Sequence, residues 1–288
     1  MKALVVGSGG QLGRALQATV PAGASLVAPP EAEFDLGNAG HLAHWLEAVR
    51  PDVVFNAAAY TAVDQAENDA DTALFVNAEC VGRLAAAARH AGARLVHVST
   101  DFVFDGRSGR PYTPDDTPNP LSVYGRTKLA GEVTALQAAP DTLIVRTAWV
   151  YAEAGRNFVH TMLHLMRERD AVSVVGDQIG TPTYVRNLAS ALWQLAGQKA
   201  CGIYHFTDAG VASWYDFALA IQEEALAQGL LDRRARILPI ATADYPTPAV
   251  RPSYSVLDKA KTWAALGNTG QHWREALRQM LTRVKENG

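Results

Sequence analysis

The chain has 288 residues, 48% of them apolar and 19% charged, with a formal net charge of −3. That much apolar material suffices for one large core or a core plus a smaller lobe, and excludes an intrinsically disordered chain. The near-balanced charge leaves no broad basic surface for nucleic acid or an anionic membrane, so neither is expected as a partner, and an anionic ligand must be held by local arginines and backbone amides.

Lys2 to Val6 reads as a short buried strand, followed by Gly7-Ser8-Gly9-Gly10-Gln11-Leu12-Gly13 and a helical pattern at Leu12, Ala15, Leu16 and Val20. Glycines between a strand and a helix let the backbone approach a pyrophosphate, whose charge then meets the helix N-terminus. Onward, strand-like runs (Ser25 to Ala28, Asp52 to Ala58, Arg94 to Ser99, Thr142 to Thr147) alternate with helical patterns near 39–49 and 69–91 and from about Ser122. Such an order predicts an α/β chain, a Rossmann-like doubly wound parallel sheet whose ligand sits beyond the carboxyl ends of its strands. After Ala148 the alternation loosens: 157–169 and 214–228 look helical, and 172–175 and 202–207 look like strands. The expected division is therefore a dinucleotide-binding domain over 1–150 with return segments near 171–196, and a smaller C-terminal substrate-binding lobe over 151–170 and about 197–288.

Tyr124 lies four residues before Lys128, which on a helix puts a phenol and an ammonium on one face. A phenol has a pKa near ~10, and a nearby cation lowers it, which suits proton exchange with an alcohol oxygen near neutral pH. Elsewhere Asp64-x-x-Glu67 has the spacing of a helix capping box, and the histidine pairs 41/44 and 160/164 fit helix surfaces without a third ligand, so no metal site is assigned. Cys80 and Cys201 are far apart and read as reduced thiols of a cytoplasmic protein. The first apolar run breaks at Gly7, too short for a signal peptide, and no run approaches the ~18 apolar residues of a membrane helix.

Several segments together resemble the extended short-chain dehydrogenase/reductases and, within them, the dTDP-4-dehydrorhamnose reductases. Gly7, Gly10 and Gly13 match the Gly-x-x-Gly-x-x-Gly turn of the superfamily, as does Tyr124-x-x-x-Lys128. More specific to the reductases are Asn56 to Asp64, Ser99-Thr100-Asp101-Phe102-Val103-Phe104, Arg146-Thr147-Ala148-Trp149-Val150-Tyr151, Asp177 to Thr183 and Tyr245 to Pro252, which spread the likeness over nearly the whole chain.

The resemblance implies NAD(P)H-dependent reduction of the C4 ketone of a dTDP-4-keto-6-deoxy-L-sugar. Tyr124 would protonate the developing alkoxide, Lys128 would lower the phenol's pKa and hold the nicotinamide ribose, and Thr100 would hydrogen-bond the reacting oxygen. Gly7, Gly10, Gln11, Leu12, Gly13, Asp35, Leu36, Ala57, Ala58 and Ala59 would line the cofactor. Asp101 and Trp149 would meet the sugar, and Arg251 would serve either the nucleotide diphosphate or a loop-to-core ion pair. Leu26 to Pro30 end the second strand with neither an acid nor an arginine, so the cofactor is expected to be NADPH with NADH tolerated. A homodimer is compatible with the resemblance, but Ala15 stands where some members contribute a carboxylate to a metal-linked one. Three alternatives stay open: a sister nucleotide-sugar epimerase or dehydratase, a non-catalytic NADP-binding regulatory subunit, and reduction of a different keto-sugar.

Overall fold

The computed structural model describes residues 1–287. In chain order the elements are β1 (Lys2–Val6), α1 (Gln11–Ala18), β2 (Ser25–Val27), α2 (Ala39–Val49), β3 (Val53–Asn56), α3 (Val63–Ala66), α4 (Ala70–Leu74), α5 (Cys80–His90), β4 (Arg94–Thr100), α6 (Val123–Ala138) and β5 (Leu143–Thr147). The second half adds β6 (Val150–Tyr151), α7 (Phe158–Glu168), β7 (Ala171–Val175), β8 (Ile179–Gly180), β9 (Thr183–Tyr184), α8 (Val185–Gly197), β10 (Gly202–His205), β11 (Ala212–Ser213), α9 (Trp214–Ala227), β12 (Arg236–Ile240), α10 (Ala260–Leu266) and α11 (Trp273–Asn287).

Six strands form one parallel sheet in the order β10-β5-β4-β3-β1-β2. Alternation along the strands decides which helices cover which face. Ala3 and Val5 of β1, with Val53 and Phe55 of β3, pack in a core with residues of α1, α7, α8, α9 and α11. The intervening Leu4, Val6 and Val54 face a second core with residues of α2, α5 and α6. Because both faces are covered, the strands are apolar in continuous runs rather than alternately. Each large side chain enclosed this way contributes about 1.5–3 kcal/mol of burial, a sum opposed by the entropy of ordering the chain.

The expected return into the sheet is corrected. The 171–175 strand, β7, pairs with β12 in a separate two-stranded sheet, whereas the sixth strand of the main sheet is β10, which follows the register of β5 from Gly202 beside Leu143 to His205 beside Arg146. Within the proposed 171–196 segment it is α8 that joins the dinucleotide-binding layer, where Trp193 Nε1 donates to the Leu16 carbonyl of α1 at 3.1 Å. The helical run expected near 69–91 is present but changes pitch: α4 and α5 flank five residues of π-helix, Phe75–Glu79. Such a local widening is a feature of functional sites, and Phe75 and Val76 here border the ligand cleft. Among the described residues no helix is long and apolar enough to cross a membrane.

Candidate active site

Four chain reversals at the carboxyl edge of the sheet, after β1, β3, β4 and β5, meet in one trough. Its nearer half is a cavity of about 400 Å³ lined by residues that include Gly10, Gln11, Leu12, Ala57, Ala58, Ala59, Thr100, Asp101, Tyr124, Lys128 and Trp149. Its farther half, about 520 Å³, is lined by Gly7, Gly10, Asp35, Leu36 and Ala57 to Ala59, together with Phe34 and Phe75. Gly10 and the alanine strap belong to both halves, so the trough bends over the N-terminus of α1. That helix has Gly10 as its N-cap and no side-chain cap, which leaves its first N–H groups free for an anion. Close approach requires glycine at two of these positions: Gly7 has φ +79° and an added Cβ would lie 2.6 Å from Ala58 N, while a Cβ on Gly13 would lie 2.2 Å from Gly7 O.

The shape fits a dinucleotide, with its pyrophosphate at the bend and one nucleoside in each half. Buried polar atoms without a partner support that fit: Ser99 Oγ, Asp101 Oδ2 and Thr147 Oγ1 all belong to residues of the nearer cavity. An orphaned buried polar atom is costly unless a ligand completes it. In the farther half the acidic side chains are Glu31 and Asp35, and no lysine or arginine lines it. Glu31 on this lining follows the end of β2 by a few residues.

The catalytic face of α6 is placed by two acceptors at its start. Ser122 Oγ accepts from Gly125 N at 3.1 Å, and Glu67 Oε1 accepts from Val123 N at 2.8 Å. Glu67 thus caps α6 rather than its own helix. Asp64, its expected partner in a capping box, binds Arg251 through both carboxylate oxygens at 3.0 and 2.8 Å, and α3, with Ala62 as its N-cap, has no side-chain cap. Arg251 lies outside the residues lining the cleft and, through this pair, ties the 245–252 loop to α3. Of the two roles the sequence left open for it, the ion pair is the one formed.

Tyr124 and Lys128 both line the nearer cavity, one helical turn apart. The phenol's pKa is pushed up to about 12, chiefly by burial, with the Asp101 carboxylate adding to the rise and the Thr100 hydroxyl opposing it. Burial thus moves the phenol opposite to the direction expected from the lysine alone. The Lys128 Nζ is turned toward β4, donating to the Val98 carbonyl at 2.7 Å, and burial lowers its own pKa to about 8. Thr100 Oγ1 accepts from Phe102 N at 3.2 Å, capping the turn after β4, and donates to Asp101 Oδ1 at 3.1 Å. Asp101 is 2% exposed, and burial raises its pKa to about 6.

Trp149 lies directly after β5 with φ +48°, a conformation uncommon outside glycine and one that clusters at functional sites. Its indole stacks on Trp214 of α9, with centroids 3.5 Å apart and planes 9° from parallel. Gly180 makes room for it, since a Cβ there would come within 2.7 Å of the ring. Trp149→Ala is expected to lower kcat/KM by roughly tenfold to a few hundredfold, the effect of about 1–3 kcal/mol lost from one pocket contact, with cofactor affinity little changed. A thermal melt run beside the kinetics separates pocket from packing: full kcat/KM in a protein of lowered melting temperature would remove Trp149 from the substrate site.

Asn56, His97, Ser99, Thr147 and Trp214 complete or support the trough without having been singled out as site residues. His97 falls inside an apolar strand run, where a polar side chain carries no visible signal, whereas Ser99 and Thr147 lay in the 99–104 and 146–151 segments that carried the resemblance. The 56–64 segment that carried the resemblance was the available pointer to Asn56.

A glycine turn over an open helix N-terminus, joined in one cleft to a threonine, a tyrosine and a lysine, defines a dinucleotide-dependent oxidoreductase of the short-chain dehydrogenase/reductase type. The family model described as RmlD substrate binding domain matches residues 1–286, and the chain belongs to that family. It is 44% identical over 285 residues to the dTDP-4-dehydrorhamnose reductase of Aggregatibacter actinomycetemcomitans, covering 96% of this chain and 97% of that one. Among solved structures, the dTDP-4-dehydrorhamnose reductase of Clostridium acetobutylicum superposes with a TM-score of 0.93 at 38% identity over 99% of this chain and 100% of that one. The Bacillus anthracis reductase, solved in complex with NADP, gives 0.92 at 33% identity over 98% and 99%.

Proposed function

We propose that the chain reduces the C4 ketone of dTDP-4-dehydro-β-L-rhamnose to dTDP-β-L-rhamnose with NADPH, and with NADH as an alternative cofactor. The observation that carries this reading is the convergence of Thr100, Tyr124 and Lys128 on a cavity continuous with a dinucleotide-shaped trough, in a chain whose relatives bear that reductase name. A bound reduced nicotinamide supplies the hydride. Tyr124 keeps its proton at neutral pH because burial holds its pKa at about 12, which is the state a reduction needs: the phenol donates to the alkoxide oxygen as it forms. The Thr100 hydroxyl orients that oxygen. Lys128 donates to the nicotinamide ribose and offsets the charge left on the phenol. Trp149 forms a wall for the sugar ring, and the Asp101 carboxylate accepts from its hydroxyls. The Glu31 and Asp35 side chains at the adenosine end are compatible with a ribose diol, which supports NADH as a working alternative.

Supplying freshly generated dTDP-4-dehydro-L-rhamnose with NADPH, while following loss of reduced-cofactor absorbance and the sugar product, tests the reading. One cofactor oxidised per sugar reduced is expected. Turnover of the sugar without net cofactor consumption would instead indicate an epimerase-like cycle, and no turnover a binding subunit. The same reading takes the reaction to be cytoplasmic and is compatible with a homodimer.

Chelation by EDTA is expected to leave specific activity unchanged, because neither hydride transfer nor proton donation from a phenol needs a Lewis acid. Among the described residues no three histidine, cysteine or carboxylate side chains gather into a potential metal site. Loss of activity with EDTA that magnesium restores would overturn this expectation.

A further inference from the structure

His97 is fully buried on β4, between Asn56 on β3 and Lys128 on α6. Asn56 Oδ1 accepts from the backbone N–H of Ala58 at 3.2 Å, so its amide nitrogen is the atom that faces His97 Nδ1 at 3.1 Å. The other ring nitrogen, Nε2, stands 3.4 Å from Lys128 Nζ. An amide nitrogen donates and does not accept, so Nδ1 is the acceptor. A neutral imidazole carries one ring hydrogen, which is then on Nε2 and directed at the lysine. The ring stays neutral because burial, with Lys128 adjacent, holds its pKa well below the ordinary value. An Nε2–H facing an ammonium sets donor against donor. Facing a neutral amine, it makes a hydrogen bond.

We propose that His97 is a positioning residue, held in its Nε2–H tautomer by Asn56, that directs the Lys128 side chain and biases it toward the neutral amine in the ligand-free protein. Other groups around Lys128 do not supply this bias: the Val98 carbonyl of β4, 2.7 Å from Nζ, accepts from an amine and an ammonium alike. On its own helix Glu132 favours the ammonium, but both oxygens of that carboxylate are bound by Arg146 of β5 at 2.9 and 2.7 Å. Tyr124, also on α6, keeps its proton, and Asp101 lies beyond the end of β4, where it acts on the phenol. β3 contributes the uncharged Asn56 behind the imidazole. The lowered lysine pKa of about 8, caused by burial, agrees with this arrangement. Resting on the reading of Lys128 as a ribose ligand, the consequence is proton uptake: when ribose hydroxyls enter as acceptors, the amine takes a proton from solvent and becomes the ammonium.

The test needs no substrate. In ligand-free protein labelled with ¹⁵N-histidine, the resonance lost in His97→Gln is expected to show a protonated Nε2 and a bare Nδ1. The His97→Gln side chain would present a carbonyl oxygen able to accept from the ammonium. Lys128, followed by side-chain NMR and assigned with Lys128→Met, is therefore expected to bind its proton about tenfold more tightly in His97→Gln, a rise of about one pH unit in its midpoint. A protonated Nδ1 in the wild-type protein, or an unchanged midpoint in the variant, would overturn the proposal. If His97→Gln does not fold, the wild-type tautomer decides alone. Calorimetry of NADPH binding near pH 8 in two buffers of different ionisation enthalpy is expected to show proton uptake by the wild type and little by His97→Gln. Absence of uptake in a protein with the expected tautomer and midpoint would count against the ribose role of Lys128, and not against His97.

Discussion

Tyr124→Phe is expected to lower kcat by between about a hundredfold and ten-thousandfold, the range that a positioned proton donor supplies, while the NADPH dissociation constant stays within a few-fold of wild type. The change removes one oxygen and keeps the ring, so the edge-to-face contact with Phe102, centroids 5.6 Å apart, survives. The phenol acts on the oxygen that becomes basic only as hydride arrives, so its loss belongs to the transition state, and kcat and kcat/KM should fall together. Single-turnover measurements with saturating NADPH are the check. A Phe variant with near-normal turnover would remove Tyr124 as the proton donor and leave Thr100 or water in that role.

The largest loss of stability is expected from Glu132→Ala. Glu132 and Arg146 form a bidentate pair whose side chains are each 2% exposed, and the guanidinium also stacks 5.1 Å over the Phe104 ring. Arg146 Nη1 already lacks a partner, and the adjacent His205, kept neutral by burial and the guanidinium itself with a pKa of about 3, brings no negative charge to replace the carboxylate. Removing the carboxylate leaves an uncompensated buried cation, at a cost of about 3–5 kcal/mol, which in a chain of this size lowers the melting temperature by roughly ten degrees. The double variant Glu132→Met with Arg146→Met removes both charges and is expected to be more stable than Glu132→Ala. If the single variant melted with the wild type in calorimetry, the pair would not be holding α6 to β5.

Most of the dinucleotide-binding half was legible in the sequence because its signals are local. A buried parallel strand must be an apolar run, and a glycine turn leading into a helix is a contiguous pattern, so β1, α1, α2 and β3 to β5 fall within a few residues of expectation. Tyr124 and Lys128 were legible for the same reason, since helical geometry alone sets them on one face. What escaped depends on contacts distant in sequence. Glu67 and Asp64 have the spacing of a local cap, yet they reach 56 and 187 residues away, to Val123 and Arg251. Strand β10 joins the sheet through pairing with β5, which no periodicity within Gly202–His205 could announce. The pKa of Tyr124 was misjudged because burial outweighs what the lysine four residues along suggests.

Trp149 and Trp214 come from opposite halves of the molecule, one from the loop that ends the sheet and one from α9, and their rings lie face to face at the wall of the cleft. A seam of this kind makes specificity a shared property. A smaller ring on either side would leave its neighbour unsupported, and a larger residue at Gly180 would evict the first indole altogether. With Trp149 placed against the sugar as proposed, fitting a differently shaped sugar would involve these three positions together, apart from the glycine turn and the tyrosine–lysine helix. The fold thus keeps the aromatic seam on separate elements from the residues of the glycine turn and of α6.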